Sequence, residues 1–72
     1  MNGYEELANA IIVLAAKDYL KVLKILNKAP DNKAAVSEKE NIERFFRSSF
    51  YETLTDADGE VLIANFRKEA LL

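Results

Sequence analysis

Hydrophobic residues recur every three or four positions along most of the chain, which is the spacing of amphipathic helices. Glycine and proline are scarce, and the breaks they mark fall between the periodic segments. Pro30 ends one segment, and Asp31 and Asn32 supply capping side chains for the next. Residues 55–58, Thr-Asp-Ala-Asp, are a further helix start. The pattern predicts an all-α fold of three helices, at about 4–28, 32–53 and 56–71.

Each predicted helix has one apolar face, which we assign to a shared core. On the first helix this face holds Ala8, Ile12, Ala15, Tyr19, Leu23 and Leu26. On the second it holds Ala35, Ile42, Phe45, Phe46, Ser49 and Phe50, and on the third Gly59, Leu62, Ile63, Phe66 and Ala70. Gly59 on an inward face indicates close helix approach. Short connections favour antiparallel neighbours, so we expect an up-down-up bundle in one domain, 1–72.

The first half of the long first helix has a second apolar side, opposite its core face. The residues on this side are Leu7, Ala10, Val13 and Leu14. A helix that is apolar nearly all round is buried on two sides, and two shorter helices would not reach along a helix of about 36 Å. We therefore predict homo-oligomerisation through these four residues.

Composition narrows the possible chemistry. The chain of 72 residues has no cysteine and no histidine, which leaves no thiolate or imidazole for a metal site or for catalysis. Most carboxylates stand at helical spacing from a basic residue and are expected to form surface ion pairs. We therefore expect no enzyme activity, no metal and no cofactor. The net charge of −2 argues against general nucleic-acid binding.

Membrane insertion is not expected either. The longest apolar run, Leu7 to Ala16, is shorter than the roughly 20 residues that a membrane span requires. Glu5 and Glu6 precede it, whereas a signal peptide has a basic start. Together with the absence of cysteine, this predicts a cytoplasmic protein.

A lysine stripe is the first of two candidate binding surfaces. It holds Lys17, Lys21, Lys24 and Lys28, in the C-terminal half of the first helix. One interpretation is the solvated side of an amphipathic helix, where lysines also favour the helix dipole. The other is a surface for an anionic partner, such as a phosphate, a nucleotide or an acidic protein.

The second candidate surface is an arginine–tyrosine patch on the second helix, where Arg44, Arg47 and Tyr51 recur on one side with Ser48 beside them. Arginine offers a planar fork for phosphate, and tyrosine offers a stacking face, so the patch could hold a nucleotide-like ligand. Arginine and tyrosine are also typical of protein–protein hot spots. A purely structural alternative pairs the arginines with Glu40 and Glu43.

Residues 43–63 carry a resemblance to small, uncharacterised helical proteins encoded by phages and prophages of Gram-positive bacteria. The matching residues are Glu43-Arg44-Phe45-Phe46-Arg47-Ser48, Leu54-Thr55, Asp58-Gly59-Glu60 and Leu62-Ile63, with a weaker extension back to Lys17-Asp18-Tyr19. The resemblance implies an accessory gene product that acts in the bacterial cytoplasm by stoichiometric binding, including the blocking of host defences. Leu20-Lys21-Val22-Leu23 is less basic than its counterpart in that group, which weakens a nucleic-acid role.

These observations lead to one expected function and two alternatives. We expect a non-catalytic, phage-type accessory protein that sequesters or masks a host molecule, with an anionic nucleotide-like ligand as one candidate. The first alternative is an inhibitor that binds a host protein through a protein–protein interface. The second is a small DNA-associated regulator or a virion component.

Overall fold

The computed structural model describes residues 3–71, which form four helices and no strand within that range. The helices are α1 (Gly3–Lys28), α2 (Lys33–Phe46), α3 (Ser49–Leu54) and α4 (Gly59–Leu71). The all-helical class is therefore confirmed. The number of helices differs from the prediction, because the second predicted helix is divided into α2 and α3.

The division of the second predicted helix follows from local capping. Ser48 has an extended backbone, with φ −83° and ψ 157°, and its hydroxyl accepts a hydrogen bond from the Tyr51 amide at 3.1 Å. The same hydroxyl donates to the Phe45 carbonyl at 2.6 Å. Ser48 therefore closes α2 and opens α3, as a serine N-cap does.

The other helix starts follow the predicted capping chemistry. The Asn32 side chain accepts a hydrogen bond from the Ala35 amide at 3.1 Å, which caps α2. The Asp58 side chain accepts from the Glu60 amide at 2.9 Å, which caps α4. The last helix therefore begins at Gly59 rather than near residue 56, while residues 55–57 form the turn that precedes it.

Contacts between helix ends set the arrangement of the bundle. The Asn27 side-chain amide donates to the Ala70 carbonyl at 2.8 Å, which joins the C-terminal ends of α1 and α4. The Tyr4 hydroxyl donates to the Thr53 carbonyl at 2.8 Å, which ties the start of α1 to α3. The 26 residues of α1 extend over about 39 Å, close to the 41 Å longest dimension of the molecule.

Gly59 allows α4 to begin directly against the end of α2. A Cβ atom built on Gly59 would overlap the Phe46 carbonyl oxygen at a separation that real Cβ contacts do not show. Only glycine fits such a close backbone approach without displacement. The sequence-based expectation of close helix packing at this residue is confirmed.

The core is centred on aromatic side chains from every helix. Its fully buried large members are Tyr19, Val22, Phe46 and Tyr51. The Phe46 ring lies 6.0 Å from the Tyr19 ring and 5.6 Å from the Tyr51 ring, both in edge-to-face geometry, which aromatic pairs favour. The other buried apolar residues, all on predicted core faces, are Ala8 and Leu23 from α1, Ala35 from α2, and Ile63 and Ala70 from α4. Val22 is buried although it was not predicted to face the core.

The break at Arg47–Ser48 reverses three predicted orientations. Phe50, assigned to the core, is 55% exposed, and Tyr51, assigned to the surface, is 2% exposed. Ser49 is also exposed. The prediction was wrong here because it continued one helical period through a position where the helix stops and restarts, which turns each later side chain to another side.

Candidate functional site

The main polar feature of the fold is a cluster around Glu43, which is 6% exposed although it was predicted to form a surface pair. The Tyr19 hydroxyl donates to Glu43 Oε2 at 2.5 Å, and Arg67 Nη2 donates to the same oxygen at 2.8 Å. Lys39 Nζ lies 3.2 Å from Oε2, and Arg47 Nη1 lies 3.7 Å from Oε1. One carboxylate therefore links α1, α2 and α4.

The cluster holds its members in fixed protonation states. Burial tends to raise the pKa of Glu43, but hydrogen bonds from Tyr19, Arg67 and Lys39 outweigh it and lower the pKa to about 2. Burial and the hydrogen bond to Glu43 raise the pKa of Tyr19 to about 12. Both values lie far from neutrality, so neither group exchanges a proton near pH 7. The chemistry of the cluster is that of a cross-link between helices.

Arg47, the centre of the predicted arginine–tyrosine patch, is held by acidic side chains. Its Nε and Nη2 atoms donate to the two carboxylate oxygens of Glu60 at 2.5 and 3.1 Å, a bidentate pair between α2's C-cap and α4. Hydrogen bonding from Arg47 lowers the pKa of Glu60. Together with Glu43, this gives Arg47 two intramolecular carboxylate partners.

The rest of the patch is only partly assembled. Arg44 is exposed and donates to the Asn41 side chain at 2.9 Å. A surface depression of about 410 Å³ brings Arg44, Arg47 and Ser48 together, but Glu40 and Glu43 line it as well. Tyr51 lies in the core, so no exposed tyrosine ring is available there for stacking. The depression therefore carries both charges rather than a basic surface.

A larger depression, of about 610 Å³, lies between α3 and the start of α4. Its charged lining consists of Glu52, Asp56, Asp58 and Glu60 together with one basic residue, Arg47. Asp58 and Glu60 are occupied by helix capping and by Arg47, respectively. The acidic lining makes this depression unsuitable for an anionic ligand.

The lysine stripe and the predicted oligomer surface both lie on the exterior of α1. Lys17, Lys21, Lys24 and Lys28 are exposed. The exposed fractions of Leu7, Val13 and Leu14 are 61, 48 and 62%, and Ala10 is exposed too. The two sets of residues therefore occupy the two halves of one solvent-facing side of α1.

An apolar groove of about 310 Å³ runs between α1 and α2. Ile11, Leu14 and Ala15 form one wall, Ile42 and Phe45 form the other, and Asp18 and Asn41 stand at its rim. Leu14 belongs both to this groove and to the exposed side of α1, so the two apolar surfaces are continuous. Contiguous exposed apolar residues of this kind can mark an interaction site.

Sequence reasoning missed the cross-helix partners of Glu43. Arg67 was not a candidate, because its role depends on Tyr19 and Glu43, which are 48 and 24 positions away in the chain. One available signal was Tyr19 itself, since a tyrosine on a core face needs a partner for its hydroxyl. A second was Ser48-Ser49, a pair of potential N-cap residues in the middle of the second predicted helix.

No family model, curated protein or solved structure matches the chain. Residues 3–71 contain no group of three or more acidic, histidine or cysteine side chains that could hold a metal ion. None of the four helices of the described chain is long and apolar enough to cross a membrane.

Proposed function

We propose that this protein is a non-catalytic binding protein that masks a host protein through the apolar groove between α1 and α2. The observation that carries the proposal is the groove itself, which is lined almost entirely by aliphatic and aromatic side chains and is open to solvent. Apolar grooves between helices commonly accept the apolar face of an amphipathic helix. Phe45, whose half-buried ring forms part of the groove wall, is a natural contact for such a partner, because aromatic residues are enriched at interfaces.

The electrostatics of the molecule support a protein partner over a nucleotide. Arg47 is engaged by Glu43 and Glu60, and the depression beside Arg44 is also lined by acidic residues. Tyr19 and Glu43 have the most distinctive surroundings among the titratable groups, and they are hydrogen-bonded to each other. These features support a non-catalytic role.

The resemblance of residues 43–63 to phage and prophage proteins supports the bacterial cytoplasm as the place where this protein acts. An accessory protein of a phage would act in the bacterial cytoplasm at a stoichiometric ratio to its target. Blocking of a host defence protein fits this mode of action. We further propose that α1, α2 and α4 act as an up-down-up bundle, and that a second copy of the chain completes it by covering the exposed side of α1.

The test is capture of a target from lysate of the bacterial host. Ile11→Asp places a charge in the groove at a side chain that is only half-buried, so the fold is expected to survive. Val61→Asp is the matched control, because Val61 is an exposed apolar residue on α4 outside the groove. We expect the wild type and Val61→Asp to retain one stoichiometric host protein that Ile11→Asp loses.

Two outcomes would contradict this proposal. One is capture of the same protein by Ile11→Asp at wild-type yield, since the groove would then not be the binding surface. The other is the absence of any stoichiometric partner in the eluate of the wild type. Far-ultraviolet circular dichroism of both variants controls for folding.

An anionic ligand is the second candidate, favoured by the position of Arg44. Arg44 is exposed, and within residues 3–71 its side chain forms one described hydrogen bond, to the neutral Asn41. Arg47 and Ser48 share its depression. If this site binds a nucleotide, Arg44→Ala/Arg47→Ala loses the ligand that native mass spectrometry detects on the wild type. Lys33→Ala, at an exposed lysine at the start of α2, is the control. A ligand mass retained by the double variant would exclude this candidate.

A further inference from the structure

The solvent-facing side of α1 has a regular heptad spacing. Intervals of four and three residues alternate along it without interruption, and we call this line the α1 seam. The seam consists of Gly3, Leu7, Ala10, Leu14, Lys17, Lys21, Lys24 and Lys28. At about 100° per residue these positions share one side of the helix, opposite the core residues Ala8, Tyr19 and Leu23. This spacing is the one by which two helices pack along their lengths.

We propose that a second copy of the chain docks on the α1 seam in antiparallel orientation, with the two-fold axis near Ala10 and Ile11. The inference rests on the self-association in the proposed function, and it adds the orientation and the register of the pair. In this register Leu7 of each copy packs beside Leu14 of the other, and the two Ala10 residues meet at the centre. Small residues at the centre let two helices approach closely.

Charge along the seam selects the antiparallel orientation. The N-terminal half of the seam is uncharged and is flanked by the acidic first turn, which includes Glu6, whereas the C-terminal half is entirely lysine. A parallel pair would set Lys17, Lys21, Lys24 and Lys28 each against its own copy, which is repulsive. An antiparallel pair instead brings Lys17 beside the first turn of the other copy, within reach of its Glu6.

In the antiparallel pair the apolar halves of the two seams cover each other, and the lysines beyond Lys17 extend past the first turn of the other copy into solvent. Because the interface is two-fold symmetric, the Lys17–Glu6 contact forms twice, once at each end of the apolar centre. The exposed apolar residues Leu7 and Leu14 of one copy are removed from water by Leu14 and Leu7 of the other. The helix dipoles also run in opposite directions in this orientation, which is the favourable alignment.

The orientation is tested by charge reversal, with sedimentation velocity at low ionic strength as the measurement. Lys17→Glu sets a carboxylate against Glu6 at both ends, and we expect it to weaken dimerisation about tenfold. The swapped variant Glu6→Lys/Lys17→Glu restores opposite charges, so we expect a dissociation constant near that of the wild type. Lys33→Glu, which changes an exposed lysine at the start of α2 outside the seam, is the control and should leave dimerisation unchanged.

A second variant tests the seam without relying on surface charge. Ala10→Asp places a carboxylate at the centre of the proposed interface, at a side chain that is exposed in one copy. We expect it to be monomeric with the helical circular dichroism of the wild type. Ala64→Asp, at an exposed alanine on α4, is the matched control and should dimerise normally.

Three results would overturn the inference. They are a wild type that stays monomeric at high concentration, a dimer that Ala10→Asp leaves intact, and a weakened Lys17→Glu dimer that the charge swap does not rescue. None of these decides the proposed masking of a host protein. Ile11 lies close to the proposed two-fold axis as well as in the groove, so Ala10→Asp separates the two proposals. Ala10 does not line the groove, and we expect Ala10→Asp to capture the host protein that Ile11→Asp loses. A monomeric wild type that captures a host protein would refute the dimer alone, and a dimer that captures nothing would refute the masking alone.

Discussion

At the scale of single residues, two buried tyrosines differ in whether their hydroxyl groups have hydrogen-bond partners. The Tyr19 hydroxyl donates to Glu43 and accepts from Arg67 Nε at 3.3 Å. The Tyr51 hydroxyl is buried, and among residues 3–71 no partner for it is found. The same substitution at the two positions therefore has two different physical consequences.

We expect Tyr19→Phe to lower the free energy of unfolding by about 1–3 kcal/mol, because it removes a hydrogen bond to a charged group. Tyr51→Phe removes an unpaired polar group, so we expect it to leave stability unchanged or to raise it by up to about 1 kcal/mol. Urea unfolding followed by circular dichroism measures both, and each variant is the control for the other. Equal losses of stability in the two variants would contradict this account.

The Glu43 cluster also makes stability depend on pH in an acidic window. The pKa of Glu43 is about 2 in the folded protein, against an ordinary value of 4.5 for an exposed carboxyl. As the pH falls, the unfolded chain takes up this proton first, so the contribution is complete above about pH 5 and is lost towards pH 2. The difference corresponds to about 3 kcal/mol at neutral pH.

We therefore expect urea unfolding midpoints of the wild type to fall steeply between about pH 5 and pH 2. Glu43→Gln should be less stable at neutral pH, because it leaves Arg67 and Lys39 without their carboxylate, but its midpoint should change less over the same window. Glu40→Gln, one turn away at an exposed residue, controls for the loss of a surface carboxyl. Parallel pH profiles for the wild type and Glu43→Gln would refute the assignment.

At Gly59, the closeness of the Phe46 backbone, rather than side-chain chemistry, limits which residues can be substituted. A methyl group there overlaps the Phe46 carbonyl oxygen, which is part of the backbone and cannot rotate away. We expect Gly59→Ala to destabilise the protein by about 1–3 kcal/mol. Gly3→Ala is the control, because nothing lies within 4 Å of its added Cβ, and it should be neutral or slightly stabilising. A wild-type unfolding midpoint for Gly59→Ala would exclude the close approach.

At the scale of helices, the junction of α2 and α3 rests on one side chain. The Ser48 hydroxyl bonds both the Phe45 carbonyl and the Tyr51 amide. We expect Ser48→Ala to cost about 1 kcal/mol of stability through loss of the cap. Ser49→Ala, at the exposed next residue, should change stability by a few tenths of a kcal/mol at most. Similar losses for the two variants, measured by thermal unfolding, would mean that the hydroxyl does not hold the junction.

The same junction explains which helical features the sequence could predict. Periodicity identified most core residues of α1 and α4, though not Val22, because each is one uninterrupted helix with one period. It failed after Arg47, where two short helices replace one, and the orientations of Phe50 and Tyr51 were exchanged. A capping serine in the middle of an otherwise helical pattern is a weak signal, since serine is also tolerated within helices.

The candidate site was harder to predict than the fold for a related reason. Arg44, Arg47 and Tyr51 were grouped by their spacing on one ideal helix. The side chains that decide whether they are free to bind a ligand lie in other parts of the chain. Glu60 of α4 holds Arg47, and the start of α4 lies against Phe46 because of Gly59. Such long-range pairings depend on helix packing, which one sequence without relatives does not specify.

At the scale of the whole molecule, burial is one-sided along α1. Its inner side packs against the other helices over most of its length, while its outer side exposes apolar residues in the first half and lysines in the second. A domain of this size buries only about 60% of its unfolded surface. Removal of Leu7 and Leu14 from water by a second copy would therefore be a substantial addition to its stability.

Dimerisation through the α1 seam makes thermal stability depend on protein concentration. Association that is linked to the folded state stabilises it by mass action, so the Tm of the wild type should rise as the protein concentration is raised. Ala10→Asp should have a lower Tm that does not depend on concentration, while the Tm of Ala64→Asp should depend on concentration as that of the wild type does. Differential scanning calorimetry over about a hundredfold concentration range measures this. A constant Tm for the wild type would mean that the folded monomer is the stable form, with the exposed side of α1 left for a different partner.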